Sequence, residues 1–182
     1  QGAYAISIHL LFPISSKYNC WRELAGAFFC VEGDTQAVEV FVPLLRGLGL
    51  QVQTISPESK AQYHLSCALA SNFVCALVQR SAELLSGCGF SKTDALHALA
   101  PLMRSNLAHV IEHGAVSALT GPIERGDTQT VQKHLSCLTE RDDRQLYALL
   151  GLEQVKMAQE KHPEQDYGTL AALLNGEKEQ KE

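Results

Sequence analysis

The sequence predicts an α/β remnant, the end of a sheet, followed by an all-α domain. Three observations carry that expectation. Before residue 56, short apolar runs read as strands around a single helical repeat; from Pro57 onward apolar residues recur at helical spacing without a strand pattern; and the change falls at Ser56-Pro57, a turn signal. The expected domains are therefore residues 1–56 and 57–175, with 176–182 as a disordered, solvating tail of mixed charge.

Each element has a local reason. Tyr4 to Leu11 is an isoleucine-rich run ended by Pro13 and Ser15-Ser16, and Ala27 to Val31 is a second strand closed by Glu32-Gly33-Asp34. Val38, Phe41, Val42, Leu45 and Leu48 mark a helix over Thr35 to Leu48 that stops at Gly49, and Gln51 to Ile55 alternates as a third strand. These strands are too few to bury both faces of a parallel sheet. The helical part is expected as Glu58 to Leu85, stopping at Gly87 or Gly89; Lys92 to His113, capped by Ser91 and kinked or broken at Pro101; and Ala115 to Leu119. Further helices follow from Asp127, a cap, through Leu138, from Asp142 to Lys161, and from Tyr167 to Leu174.

Composition sets the class. The 182 residues carry a net charge of −5, with 46% hydrophobic and 19% charged residues, so a nucleic-acid surface is not expected. The six cysteines lack CxxC spacing and read as reduced, buried thiols of a cytoplasmic protein. No 18-residue uncharged apolar run appears; Leu65 to Val78 comes nearest, and no membrane partner is expected. Ala3 to Phe12 is apolar but lacks a basic leader, and the chain does not open on methionine, so it is expected to begin inside a longer gene product.

The feature richest in chemistry is a polar stripe on the helix from Glu58. At about 100° per residue, Lys60, His64, Cys67 and Ser71 share one sector with Asn72 on its flank, while Leu65, Leu69, Phe73, Ala76 and Leu77 point the other way. A lysine and a histidine one turn apart are costly to bury, so a cleft is the functional reading, in which Lys60 and His64 act as acid, base or anion anchor. The structural reading is a solvated Lys60, a satisfied His64, and Ser71 and Asn72 packed on a neighbouring helix. Cys67 is better explained by packing.

Other motifs are weaker. Asn106 falls within the apolar face set by Ala95, Leu99, Leu102 and Val110, where it needs a partner from a neighbouring helix or a ligand. Leu119-Thr120-Gly121-Pro122 followed by Arg125-Gly126-Asp127 packs two turn signals around one helical turn, whose amides could hold an anion. His109, Glu112 and His113 have the H-x-x-E-H form of a zinc hydrolase, but a third ligand, Glu124 or Glu140, would be needed, and His113 before Gly114 gains from the helix dipole alone. No phosphate loop or nucleophile elbow is present, and Gly47-Leu48-Gly49 follows a helix instead of opening one.

The run Ser59-Lys60-Ala61-Gln62-Tyr63-His64 with Ala70-Ser71-Asn72, then Leu119-Thr120-Gly121-Pro122-Ile123 and Arg125-Gly126-Asp127, resembles a family of bacterial Rossmann-like oxidoreductases whose C-terminal helical domain is of unknown function. His9 and Pro13 look like a stretched form of its His-Pro pair, and Phe29 to Asp34 matches its later strand and turn. The family is similar to ketopantoate reductase, pyrroline-5-carboxylate reductase and the 6-phosphogluconate dehydrogenase group. The resemblance implies the end of a Rossmann-like sheet, then a 6-phosphogluconate dehydrogenase C-terminal-like helical domain that binds a small-molecule substrate and forms a homodimer. It implies NADP or NAD as cofactor, with deazaflavin left open, and His9 and Pro13 on the cofactor side. Lys60 and His64 would face the nicotinamide, Ser71, Asn72 and Asn106 the substrate, and Thr120 and Gly121 would lend amides to it. The family's glycine-rich nucleotide half has no counterpart in these residues, so tight dinucleotide binding by this chain alone is not expected. A non-catalytic helical interaction module and a metal hydrolase on His109, Glu112 and His113 are the alternatives.

Overall fold

The computed structural model describes residues 2–14, 18, 24 and 26–178. Ser15-Ser16, Cys20 and the tail beyond residue 178 lie outside them. The chain forms two compact units, Gln1–Lys92 and Thr93–Glu182. That division replaces the expected one at residue 56, because the helix after Pro57 is bonded to the sheet: Lys60 pairs with Glu32 and Tyr63 with His9.

In the first unit, β1 (Ile6–Leu10), β2 (Phe28–Gly33) and β3 (Gln51–Thr54) make one sheet in the order β1-β2-β3. The sheet is mixed: β1 runs antiparallel to β2, and β2 parallel to β3 across α1 (Thr35–Gly47). Because strand side chains alternate, register decides what each face carries. Ile8 opposes Val31, Leu10 opposes Phe29, and Phe29 opposes Val52, giving an apolar face. That face meets Val38, Val42 and Leu45 of α1 in a small core centred on fully buried Val31. The other face carries Ser7 opposite Glu32 and His9 opposite Cys30. The turn after β2 is built on Gly33, whose φ of +145° and close approach to the Ala5 carbonyl leave no room for a side chain. Asp34 then accepts from the Ala5 amide at 2.7 Å and anchors the start of β1.

The expected helix from Glu58 is two helices. A 3₁₀ turn at Pro57–Ser59 leads into α2 (Lys60–Ala70), and α3 (Asn72–Gly87) follows a break at Ser71, where φ is −124° and ψ −72°. The break falls where Ser71-Asn72 interrupts the apolar run, since both side chains compete for backbone hydrogen bonds. Nor are these helices core: neither has a buried residue, and Leu69 and Phe73 are 50% and 54% exposed. By length and composition Pro57–Gly87 is also apolar enough to cross a membrane, a longer stretch than the Leu65 to Val78 run read from sequence.

The second unit is helical. It comprises α4 (Lys92–His113), α5 (Ala115–Ala118), α6 (Thr128–Cys137), α7 (Arg141–Lys161) and α8 (Gly168–Lys178). Pro101 lies inside α4 without breaking it. Ile123, Val131, Leu135, Ala148, Tyr167, Leu170 and Leu174 form a closed core. Gly151 belongs to that fit, because a Cβ there would meet both Leu174 methyls at 3.1 Å. Asp127 caps α6 as expected, accepting from the Thr130 amide at 3.0 Å and its hydroxyl at 2.6 Å. The tail begins later than expected: Gly176 and Glu177 are helical, and the Glu177 carboxylate takes two bonds of 2.7 Å from Arg144. Arg144 also donates to the Leu135 and Leu138 carbonyls at the end of α6.

Candidate active site

The polar face of the sheet and the polar stripe of α2 meet in the first unit. Alternation puts Ser7, His9, Cys30 and Glu32 on one sheet face, and helical spacing puts Lys60, Tyr63, His64 and Cys67 on α2. Between them lies a cavity of about 410 Å³ lined by Ser7, His9, Cys30, Glu32, Ile55, Pro57, Glu58, Lys60, Tyr63 and His64, a size suited to a small organic ligand. A second cavity of about 340 Å³ is lined by Leu10 to Pro13, Cys67, Ala68, Ser71 and Asn72 and shares His9 and His64 with the first.

Two contacts organise the first cavity. The Lys60 ammonium lies 2.5 Å from Glu32 Oε1 and 3.3 Å from Ser7 Oγ. The bond from Lys60 first, and then one from Ser7 to the carboxylate and the Lys60 charge, hold the Glu32 carboxyl below its usual range. The pair is not sealed: the Lys60 side chain is 55% exposed and that of Glu32 14%. Across the cavity, Tyr63 Oη is 2.6 Å from His9 Nδ1, and the His9 ring stands edge to face with both Tyr63 and His64, centroids 5.4 and 6.3 Å away. Burial above all, then a bond and charge from Cys67 and charge from Cys30, push the Tyr63 phenol far above its usual value. Tyr63 Oη and His9 Nδ1 share one hydrogen, and the histidine tautomer decides which of them donates. Burial, followed by the nearby Cys67 and Glu32, also raises the Cys30 thiol, an inert sulfur by that measure.

Lys60, His64, Ser71, Asn72, His9 and Pro13 thus all line these two cavities. Asn106, Thr120 and Gly121 belong to the second unit. Asn106 is exposed on α4 between exposed Leu102 and Leu107, so the core-facing position expected for it is not found. Thr120 and Gly121 sit in a turn where Gly121 has φ +108° and the Arg125 amide donates to its carbonyl. Glu124, in that turn, takes 2.8 Å and 3.3 Å contacts from His162 and Lys161, while Lys161 donates to the Ser117 and Leu119 carbonyls. The sequence reading missed Ser7, Glu32 and Tyr63. The period-2 alternation of Ile6-Ser7-Ile8-His9-Leu10 and Phe29-Cys30-Val31-Glu32 was the signal that could have found the sheet residues.

Of the two third ligands considered for the metal alternative, Glu124 has other partners. His109 and His113 rings are 4.5 Å apart and Glu112 is 3.6 Å from His113, but Glu124 is held by His162 and Lys161. Among the described residues no group of three or more histidines, cysteines or carboxylates is placed to hold an ion. The thiols also differ from expectation: Cys30 is buried and Cys67 half-buried, whereas Cys75, Cys88 and Cys137 are exposed, all free.

Comparison with known proteins supports the fold. The family described as Domain of unknown function (DUF2520) matches residues 27–154. Protein TM1727 from Thermotoga maritima is 24% identical with a TM-score of 0.68, covering 86% of this chain and 62% of its own. BF3122 from Bacteroides fragilis, a proposed NADP oxidoreductase, is 22% identical with a TM-score of 0.61, covering 73% of this chain and 51% of its own. The chain therefore spans roughly half to three-fifths of the length of these structures. No curated protein matches it in sequence.

Proposed function

As the chain belongs to the DUF2520 family, we propose that it is the C-terminal part of an NADP- or NAD-dependent oxidoreductase acting on a small molecule. The observation that carries this reading is the convergence of Lys60, His64 and His9 on one cavity at the sheet's polar face. The likeness in fold to BF3122 supports it.

The residues present suit the nicotinamide end of such a cofactor. The cavity offers two hydroxyls, two imidazoles, the Lys60–Glu32 pair and the Glu58 carboxylate against carbon walls, and among the described residues its lining contains a single lysine or arginine. His9 and Pro13 would border the ring, which when bound supplies or accepts hydride. Lys60 and His64 are the catalytic residues of this reading: His64 exchanges a proton with the substrate, and Lys60, fixed by Glu32, sets the charge beside the reacting atom. Ser71 and Asn72 hold the far end of the substrate in the second cavity. Asn106, Thr120 and Gly121 remain substrate contacts by resemblance alone. Among the described residues no third ligand joins His109, Glu112 and His113, and the metal hydrolase is not proposed.

We further propose that the bare apolar sides of α2 and α3 are covered by a second copy of the chain. A bilayer is the weaker reading, because the same stretch carries Lys60, His64 and the Arg80–Glu83 pair and is interrupted at Ser71. The cytoplasm, with no nucleic-acid partner, fits free thiols and a net charge of −5. The test is NADPH and NADH consumption by the full-length protein across aldehydes, ketones and imines. Turnover on one of these classes is expected, and none on any would end the oxidoreductase reading.

A further inference from the structure

The charges around the two cavities select among substrates. Among the described residues Lys60 is the one lysine or arginine lining the first cavity, and its ammonium is committed to Glu32 at 2.5 Å with Ser7 at 3.3 Å. Glu58 adds a second carboxylate to the same lining, bonded to its own backbone and to Ser56. With histidines neutral, one lysine against two glutamates leaves a formal charge of −1. Among the described residues the second cavity has no lysine, arginine or carboxylate, and its walls are mainly Leu10, Leu11, Phe12, Pro13 and Ala68. A carboxylate or phosphate entering the first cavity would have to displace Glu32 from Lys60 while facing Glu58. A cation meets neither cost.

We propose that the site takes a small organic cation, a protonated amine or imine, with its nitrogen toward Glu32 and Glu58 and its carbon skeleton in the second cavity beyond His9 and His64. This assignment rests on reading the cavity as the substrate site. The ring of an oxidised nicotinamide is also an organic cation, so the test needs an arm for each source.

The experiment follows backbone amide resonances of the protein at pH 7 during titration with cyclohexylammonium, cyclohexanecarboxylate and 1-methylnicotinamide. Cyclohexylammonium is expected to shift Ser7, Glu32 and His64, binding about fivefold or more tighter than the carboxylate, the discrimination of one or two partly screened charges. Glu32→Gln frees Lys60 and is expected to invert that order. Glu58→Gln leaves the Lys60 pair intact, provides the check if the first variant does not fold, and is expected to weaken the ammonium about threefold. Carboxylate binding as tight as ammonium, or no shift at these amides with either probe, overturns the proposal. Shifts with 1-methylnicotinamide alone overturn it too, by giving the cavity to the cofactor. Failure of the oxidoreductase reading is separate: ammonium binding would persist while NADPH consumption is absent on every substrate.

Discussion

The two units use apolar residues in opposite ways. In Thr93–Glu182, Val131, Leu170 and Leu174 are sealed in a core, and polar side chains such as Arg144 and Glu177 clamp the helix ends around it. In Gln1–Lys92, the core is limited to the contact of α1 with one sheet face, while α2 and α3 leave their leucines and Phe73 bare and turn polar groups toward the cavities. The second unit closes its apolar side chains into a core; the first leaves those of α2 and α3 exposed beside the cavities. The closed core and the two cavities thus lie in different stretches of the chain.

That contrast can be broken by substitution. The largest effect expected is on association: Phe73→Asp or Leu77→Asp puts a charge into a face proposed to meet a second copy, and should weaken dimerisation by about a hundredfold or more, read by sedimentation. An unchanged monomer would remove the partner from the account. Next, Leu174→Ala in the closed core should cost about 2–5 kcal/mol in denaturant unfolding, whereas Leu69→Ala under conditions that keep the chain monomeric should cost less than about 1 kcal/mol. Equal losses would mean that α2 is buried after all. Glu177→Gln, which unpairs Arg144, should lower the stability of the second unit by about 2 kcal/mol, discounted for Arg144's partial exposure.

A smaller effect concerns pH. The Glu124 carboxyl is held below its ordinary value, first by its bond to His162 and then by Lys161. A carboxyl depressed on folding adds stability that is complete above the ordinary carboxylate range and is lost as pH falls through its lowered folded value. The second unit should therefore lose stability steadily below about pH 4.5, and Glu124→Gln should flatten that part of the melting-temperature profile. An equally steep profile in the variant would assign the acid sensitivity elsewhere.

Much of this was legible in residues whose causes are local. Gly49 ended α1, Asp127 capped α6, and the Ser56-Pro57 turn marked the end of the strands. The Lys60-His64 stripe was visible because helical spacing is fixed by geometry. What escaped depended on pairing across the chain. The register that sets Ser7 against Glu32 and His9 against Cys30 is decided by a β1–β2 pairing that no local signal states. Tyr63 lay between two residues of the stripe, yet its importance appears only when His9 is placed 2.6 Å away. Asn106 failed for the converse reason: on the face set by Ala95, Leu99, Leu102 and Val110, Ala95 is buried and Leu99 and Val110 are half-buried, but Leu102 and Asn106 are exposed.

The central claim is that the chemistry resides on the polar face of the sheet, at Lys60 and His64. Its most direct test is the turnover number of full-length protein carrying Lys60→Ala or His64→Ala, with NADPH and whichever carbonyl or imine substrate proves active. Each substitution is expected to lower kcat by about a hundredfold or more while the amide spectrum keeps its dispersion. Turnover left at the unsubstituted level in both variants would contradict the claim and move the active site off this cavity.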